Sequence, residues 1–167
     1  CFEPSNQQEA YDMTYKAFDF SEKHRVPVML RVTTRLAHSR AGVTRKEVRS
    51  QNEISLHPNP KQFILLPGNA RVFYKEALAK QPKLNEESEN SSFNQYFDGK
   101  DKSLGIIASG IALNYVKENF VNKEIPYPIL KITQYPLPVK KIEKLFNDCE
   151  KILVVEEGYP IIEEQLK

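Results

Sequence analysis

The sequence lacks the features that mark several protein classes. It has no excess of one charge: 24 lysines and arginines face 22 aspartates and glutamates, a net charge of +2 over 167 residues. Nucleic-acid binders usually carry a strongly basic face, so this balance excludes nucleic acid as an expected partner. No apolar run approaches the ~20 residues of a membrane span. Nothing reads as a signal peptide either, and no membrane partner is expected. Cysteine is scarce. Cys1 and Cys149 make neither a disulfide framework nor a metal set. An iron–sulfur cluster needs four thiolates, more than this chain supplies. Low cysteine content fits a reducing compartment, and a cytoplasmic location is expected. There is no P-loop, zinc ligand set or internal repeat.

The composition is that of an ordinary globular chain, 40% hydrophobic and 28% charged. Its length suits one large domain or two small ones. The chain opens on Cys1 and closes on "PIIEEQLK", a helical pattern without a stop signal. These ends lead us to expect a piece of a longer protein.

Residues 5–25 are predicted as a helix, with Ser5 as N-cap and Gln8 completing a capping box. Ala10, Met13, Thr14, Ala17 and Phe18 form its inward stripe. Lys23, His24 and Arg25 suit its negative end, and Pro27 stops it. Residues 28–33, "VMLRVT", are predicted as a parallel strand. Val28, Leu30 and Val32 share one face, while Met29, Arg31, Thr33 and Arg35 share the other. A parallel strand buried on both faces should be apolar throughout, so one face of this strand is expected to meet something polar. Residues 41–62 read as a long connection, and 69–80 as a helix with Val72, Ala77 and Leu78 inward. The polar stretch 85–103 reads as a linker between two lobes. Beyond it, strands at 104–109, 127–133 and 151–157 alternate with helices at 110–120 and 139–148. Ile142, Leu145 and Phe146 are expected inward on the latter. A further helix follows Pro160. This is a βαβαβα layer with a parallel sheet.

Candidate chemistry concentrates after the first predicted strand. Ligands of open α/β sheets bind beyond the carboxyl ends of strands, where Thr33, Thr34, Arg35, His38, Ser39 and Arg40 lie. Arginine forks suit phosphate or carboxylate, and His38 can exchange a proton near neutral pH. Beside that stands the plainer reading of a solvated basic loop, or of arginines paired with acids of a neighbouring domain. His24 and His57 read as structural. "SGIA" (109–112) offers small residues between strand and helix, but without a full GxGxxG pattern it reads as a tight βα turn. Glu156 and Glu157 point to opposite faces of their strand and read as interface or solvated charges. Acidic neighbours on both sides of Cys149 oppose a reactive thiolate.

Several segments in order, "EPSNQQEAYDM", "PVMLRVTTRLAHSR", "LLPGNAR", "LGIIASGIALNYVKE", "YPLPVKKI" and "ILVVEEGYPIIEEQ", resemble the alpha subunits of indolepyruvate:ferredoxin oxidoreductases. The resemblance runs from Glu3 to Gln165, and "TTRLAHSR" and "VVEEGYPIIEEQ" carry most of it. It implies an α/β fold in two parts. Residues 1–84 would be the C-terminal portion of a thiamine-enzyme pyrimidine-binding-type domain. Residues 85–103 would be the linker, and 104–167 a transketolase C-terminal-like domain truncated in its last helix. For the whole enzyme it implies oxidative decarboxylation of indolepyruvate and related aryl-pyruvates to acyl-CoA. The implied cofactors are thiamine diphosphate with magnesium, 4Fe-4S clusters, and coenzyme A as co-substrate. The implied partners are the rest of the same subunit, a beta subunit and ferredoxin. The family's G-D-G diphosphate–magnesium motif is missing, since "FDGK" around Gly99 does not match it, and so are its cysteine clusters. The segment is therefore expected to bind none of these cofactors and to carry no catalytic residue. The alternative is a non-catalytic module holding coenzyme A or another phosphate-bearing ligand at residues 33–40.

Overall fold

The computed structural model describes residues 1–167. Helices are α1 (Gln7–His24), α2 (Thr34–His38), α3 (Pro67–Glu89), α4 (Ala112–Glu118), α5 (Val139–Asp148) and α6 (Ile161–Leu166). Strands are β1 (Gln95–Phe97), β2 (Gly105–Ser109), β3 (Ile129–Ile132) and β4 (Ile152–Val155). They form one sheet in the order β1-β3-β2-β4. β3 and β4 lie parallel to the central β2, and β1 pairs antiparallel to β3 at the edge.

The parallel core follows the expected alternation of strand and helix, and α5 spans the expected residues. The sheet is covered on both faces. Leu113 and Val116 of α4 pack with Ile106, Ala108 and Ile129. On the other face Ile142 and Leu145 of α5 and Ile162 of α6 pack with Ile107, Leu130 and Ile132. β2 and β3 are buried along their whole length, as parallel strands sandwiched by helices should be.

Several local expectations need correction. The N-cap of α1 is Asn6, one residue later than Ser5. Its side chain accepts from the Glu9 N–H at 2.9 Å. Glu9 in turn accepts from the backbone N–H of Ser5 at 2.9 Å and from its hydroxyl. The charged Glu9 is a stronger acceptor than Gln8, so the box forms around it. Of the expected stripe Met13 is buried, whereas Phe18 is 68% exposed and borders shallow clefts beside Val28, Leu30 and Ile54. The strand expected at 28–33 reduces to one parallel bridge, Leu30 to Phe2, and Phe2 bridges antiparallel to Gln134. Residues 1–3 thus lie between 29–31 and 133–135, and there is too little paired backbone for a full strand.

Helix α3 is longer than the expected 69–80. It passes through Pro82 and ends at Glu89. The expected inward residues Val72 and Leu78 are exposed. The stretch 85–103, expected as linker, carries the end of α3 and the edge strand β1. Side-chain hydrogen bonds add to the β1–β3 ladder there. Asn94 Oδ1 accepts from the backbone N–H groups of Thr133 and Gln134, both at 2.9 Å. Its amide donates to the carbonyl oxygens of Ser88 and Gln134. A polar composition therefore marks a buried joint here and not a free chain.

Phe146, expected inward, is half-exposed beside Leu166. It lies at the end of α5, past the part of the stripe that the sheet covers. We expect Leu145→Ala to cost about 2–5 kcal/mol in urea unfolding, and Phe146→Ala about 1 kcal/mol or less. Equal costs would show that α5 is rotated from the position described.

Candidate functional site at the carboxyl edge of the sheet

β2 and β4 are neighbours whose chains leave in opposite directions, β2 into α4 on one face and β4 into α6 on the other. Such a switch point opens a crevice at the carboxyl ends of the strands, where doubly wound folds place ligands. In this chain a buried polar cluster fills it. Glu3 reaches in from the N-terminal stretch, and its side chain is only 2% exposed. Arg31 donates to Glu3 Oε1 at 2.9 Å through Nη1 and to the Glu157 carbonyl at 3.0 Å through Nη2. The Tyr135 hydroxyl donates to Glu3 Oε2 at 3.0 Å. The Glu3 carboxylate thus joins the extended 28–33 stretch to the stretch after β3, and Arg31 links both to the end of β4.

Gly110 makes room for it. The backbone there has φ +48, and a Cβ would lie 2.7 Å from Glu3 Cγ. The small residues of "SGIA" do serve a tight βα turn, and the turn's glycine also admits the Glu3 carboxylate. Next to it the Ser109 and Thr33 hydroxyls are buried without a hydrogen-bond partner.

Glu156 and Glu157 are engaged, not merely solvated. Glu156 caps α6, accepting from the N–H groups of Ile162 at 2.8 Å and Glu163 at 3.1 Å. The Glu157 carboxylate accepts from the Tyr115 hydroxyl. Burial raises the Glu3 carboxyl above its ordinary value of 4.5, against the opposing pull of Arg31 and Tyr135, while Glu156 adds repulsion. Burial and the Glu3 charge together push the Tyr135 hydroxyl strongly upward, so Tyr135 remains a donor.

The six residues singled out from the sequence lie alongside this cluster. Thr33 and Thr34 begin α2. Arg35 lies 5.4 Å from the centre of the Tyr115 ring and is exposed, as are His38 and Arg40. None of the three forms an ion pair. Ser39 accepts from the Gln7 side chain at 2.6 Å and donates to the Leu36 carbonyl. The residues that converge in the crevice are instead Glu3, Arg31 and Tyr135. Arg31 had a signal, a charge on an otherwise apolar strand pattern. Glu3 and Tyr135 had none, because neither belongs to a periodic element.

No group of three or more histidine, cysteine or carboxylate side chains is placed to hold a metal. The Asp-Gly pair at Asp98–Gly99 is committed elsewhere. Asp98 pairs with Lys102, and a Cβ on Gly99 would lie 2.2 Å from the Tyr127 carbonyl carbon. These residues do not fit a magnesium–diphosphate site. A cleft of about 760 Å³ lies between α1 and residues 49–55 and shares no lining residue with the crevice. It is open on the solvent side and gathers no convergent set of reactive groups, so the buried cluster is the better candidate.

The fold and its crevice define the chain as a mostly parallel, doubly wound α/β protein with an antiparallel edge strand. Sequence comparison narrows this. The chain is homologous to a segment of indolepyruvate oxidoreductase subunit IorA. It is 35% identical to that subunit of Methanothermobacter thermautotrophicus over 98% of the chain, 38% identical to that of Thermococcus kodakarensis over 99%, and 35% identical to that of Archaeoglobus fulgidus over 96%. It spans 26–27% of the length of these relatives. No protein-family profile matches the chain, and no solved structure matches it.

A carboxyl whose proton is held more tightly in the folded state stabilises the fold fully below 4.5, and that contribution is lost as pH rises through the folded value. Between pH 4 and 7, wild-type stability should therefore fall relative to Glu3→Gln in urea unfolding. A rise relative to Glu3→Gln would mean that the Arg31 charge outweighs burial.

Proposed function

We propose that the chain is a structural segment of a thiamine-diphosphate-dependent 2-oxoacid:ferredoxin oxidoreductase that converts indolepyruvate and related aryl-pyruvates to acyl-CoA. The homology to IorA along nearly the whole chain carries this reading. On it, residues 1–84 close a pyrimidine-binding-type domain and 104–167 form a transketolase C-terminal-like domain. Between them, 85–103 supplies β1 and the Asn94 joint. Thiamine diphosphate, magnesium and the 4Fe-4S clusters belong to other parts of the enzyme, because this chain has neither the diphosphate motif nor enough thiolates. A beta subunit, ferredoxin and the remaining domains of the same subunit are the proposed partners, and the cytoplasm the proposed location.

The chain's own residues then act as scaffold. Glu3, Arg31 and Tyr135 close the crevice that a ligand-binding sheet of this kind would leave open. One observation favours a second reading. Arg35, His38 and Arg40 stand exposed and without carboxylate partners beside the crevice, so they are free to hold coenzyme A or another phosphate-bearing ligand.

The natural polypeptide carrying this sequence, assembled with its partner subunit, should reduce ferredoxin on addition of indolepyruvate, coenzyme A, thiamine diphosphate and magnesium. The 167-residue chain alone should show no turnover and no heat of binding with coenzyme A. Turnover by the chain alone would refute the scaffold role. Micromolar coenzyme A binding that Arg35→Ala abolishes would favour the second reading.

A further inference from the structure

From Ala37 to Glu87 no residue is buried. Over the same stretch the sequence is not that of a solvated loop. Eleven of the twenty large apolar side chains that the chain exposes fall between residues 43 and 78. Leu56 is 94% exposed, Leu65 91% and Phe63 75%, and Leu66, Tyr74 and Leu78 are exposed as well. Single apolar residues on a surface are ordinary, but such a concentration marks an interaction surface.

The stretch forms an arm with three parts. Residues 44–52 lie along α1 and are held by polar contacts and by Lys46 and Arg49 over the Tyr15 ring. Thr44 bonds the Gln8 side chain at 2.7 Å, the Lys46 N–H bonds the Tyr11 hydroxyl at 2.8 Å, and Lys46 pairs with Asp12 at 2.9 Å. Residues 53–66 run on as coil apart from one 3₁₀ turn, Pro60–Phe63. The first turns of α3 follow, with no residue buried. A helix of about 15 residues is marginal by itself in water and depends on packing an apolar face. Pro82 weakens its connection to the supported half, since it removes one helical hydrogen bond.

We infer that residues 53–80 dock, through Leu56, Phe63, Leu65, Leu66, Tyr74 and Leu78, onto the remainder of the same polypeptide, the part that the IorA relatives carry beyond this segment. The relatives match this chain over 98–99% of its length within subunits of which it covers only 27%. In those relatives the matching segment is thus embedded in far more polypeptide than is needed to cover it. Charge disfavours the other self-evident occupant, the arm of a second copy. Residues 53–80 contain four basic against two acidic residues. A twofold pairing would set this excess against itself. The matching surface is accordingly apolar at its centre and acidic at its rim.

The inference rests on the homology and not on the reaction, so the loss of one leaves the other standing. Its test is hydroxyl-radical footprinting of the natural polypeptide, read at Phe63, Leu65, Leu66 and Tyr74 against a synthetic peptide of residues 53–80. We expect oxidation at least tenfold slower than in the peptide, at every protein concentration. Oxidation at the peptide rate would overturn the inference. So would protection that disappears on dilution, which would assign the surface to a second copy.

Discussion

The ion pair between Glu3 and Arg31 is the contact on which the arrangement of this chain depends. Three stretches distant in sequence, 1–5, 28–33 and 133–135, join at the carboxyl edge of the sheet through very little paired backbone. Phe2 supplies one bridge to Leu30 and one to Gln134. What fixes the three together is the carboxylate, held by a guanidinium and a phenol in a space that Gly110 leaves open. Burying a carboxylate is costly, and the raised proton affinity of Glu3 expresses that cost. A buried pair of this kind contributes little net stability over an apolar replacement, yet removing one partner strands the other. Its consequence is specificity of docking: the N-terminal stretch has one place to sit.

A second polar contact repeats the pattern on the α4 side of the sheet. Lys131 is buried in β3, on the face that its neighbour Ile129 shares with α4, and pairs with Glu9 of α1. Glu9 is the same residue that completes the cap with Ser5. The Ser5 carbonyl in turn accepts from Asn114 of α4 at 2.8 Å. The start of α1 is thus tied to the sheet and to α4 by charged and polar groups. These contacts hold the first 35 residues against the sheet with few apolar contacts, while the Asn94 joint ties the end of α3 to the stretch after β3. The buried apolar core belongs mainly to the sheet and its three helices. Phe2, Met13 and Leu36 are the buried apolar contributions of the first part.

Legibility in the sequence followed this division. The strands and helices after residue 104 were readable because their apolar residues recur at the period of the element that buries them, as with Ile142 and Leu145 on α5. Before residue 104 the helix α1 was readable on the same ground, but other signals misled for physical reasons. "VMLRVT" has the composition of a strand, but a strand needs neighbours along its length, and only Leu30 finds one. Pro82 normally ends a helix, yet α3 continues to where Ser88 and Glu89 engage the turns before and within α5. Val72 and Leu78 have helical spacing and no surface to pack on. The candidate site was half legible: the alternation on the first strand flagged Arg31, while its partners Glu3 and Tyr135 are irregularly placed and become neighbours only through the tertiary fold. Arg35, His38 and Arg40, which drew attention as a basic cluster, flank that site without entering it.

The claim that one buried pair fixes the N-terminal stretch to the sheet is tested most directly by a double-mutant cycle. Arg31→Met, Glu3→Leu and the combined variant would be compared with wild type in urea unfolding at pH 7. Arg31→Met should cost about 3–5 kcal/mol, because it leaves the buried Glu3 charge unpaired, and Glu3→Leu should cost less, because Arg31 is partly exposed. The double variant should cost much less than their sum, a coupling above ~1.5 kcal/mol. Additive losses, with no coupling, would contradict the account and place the docking of residues 1–5 in the backbone bridges alone.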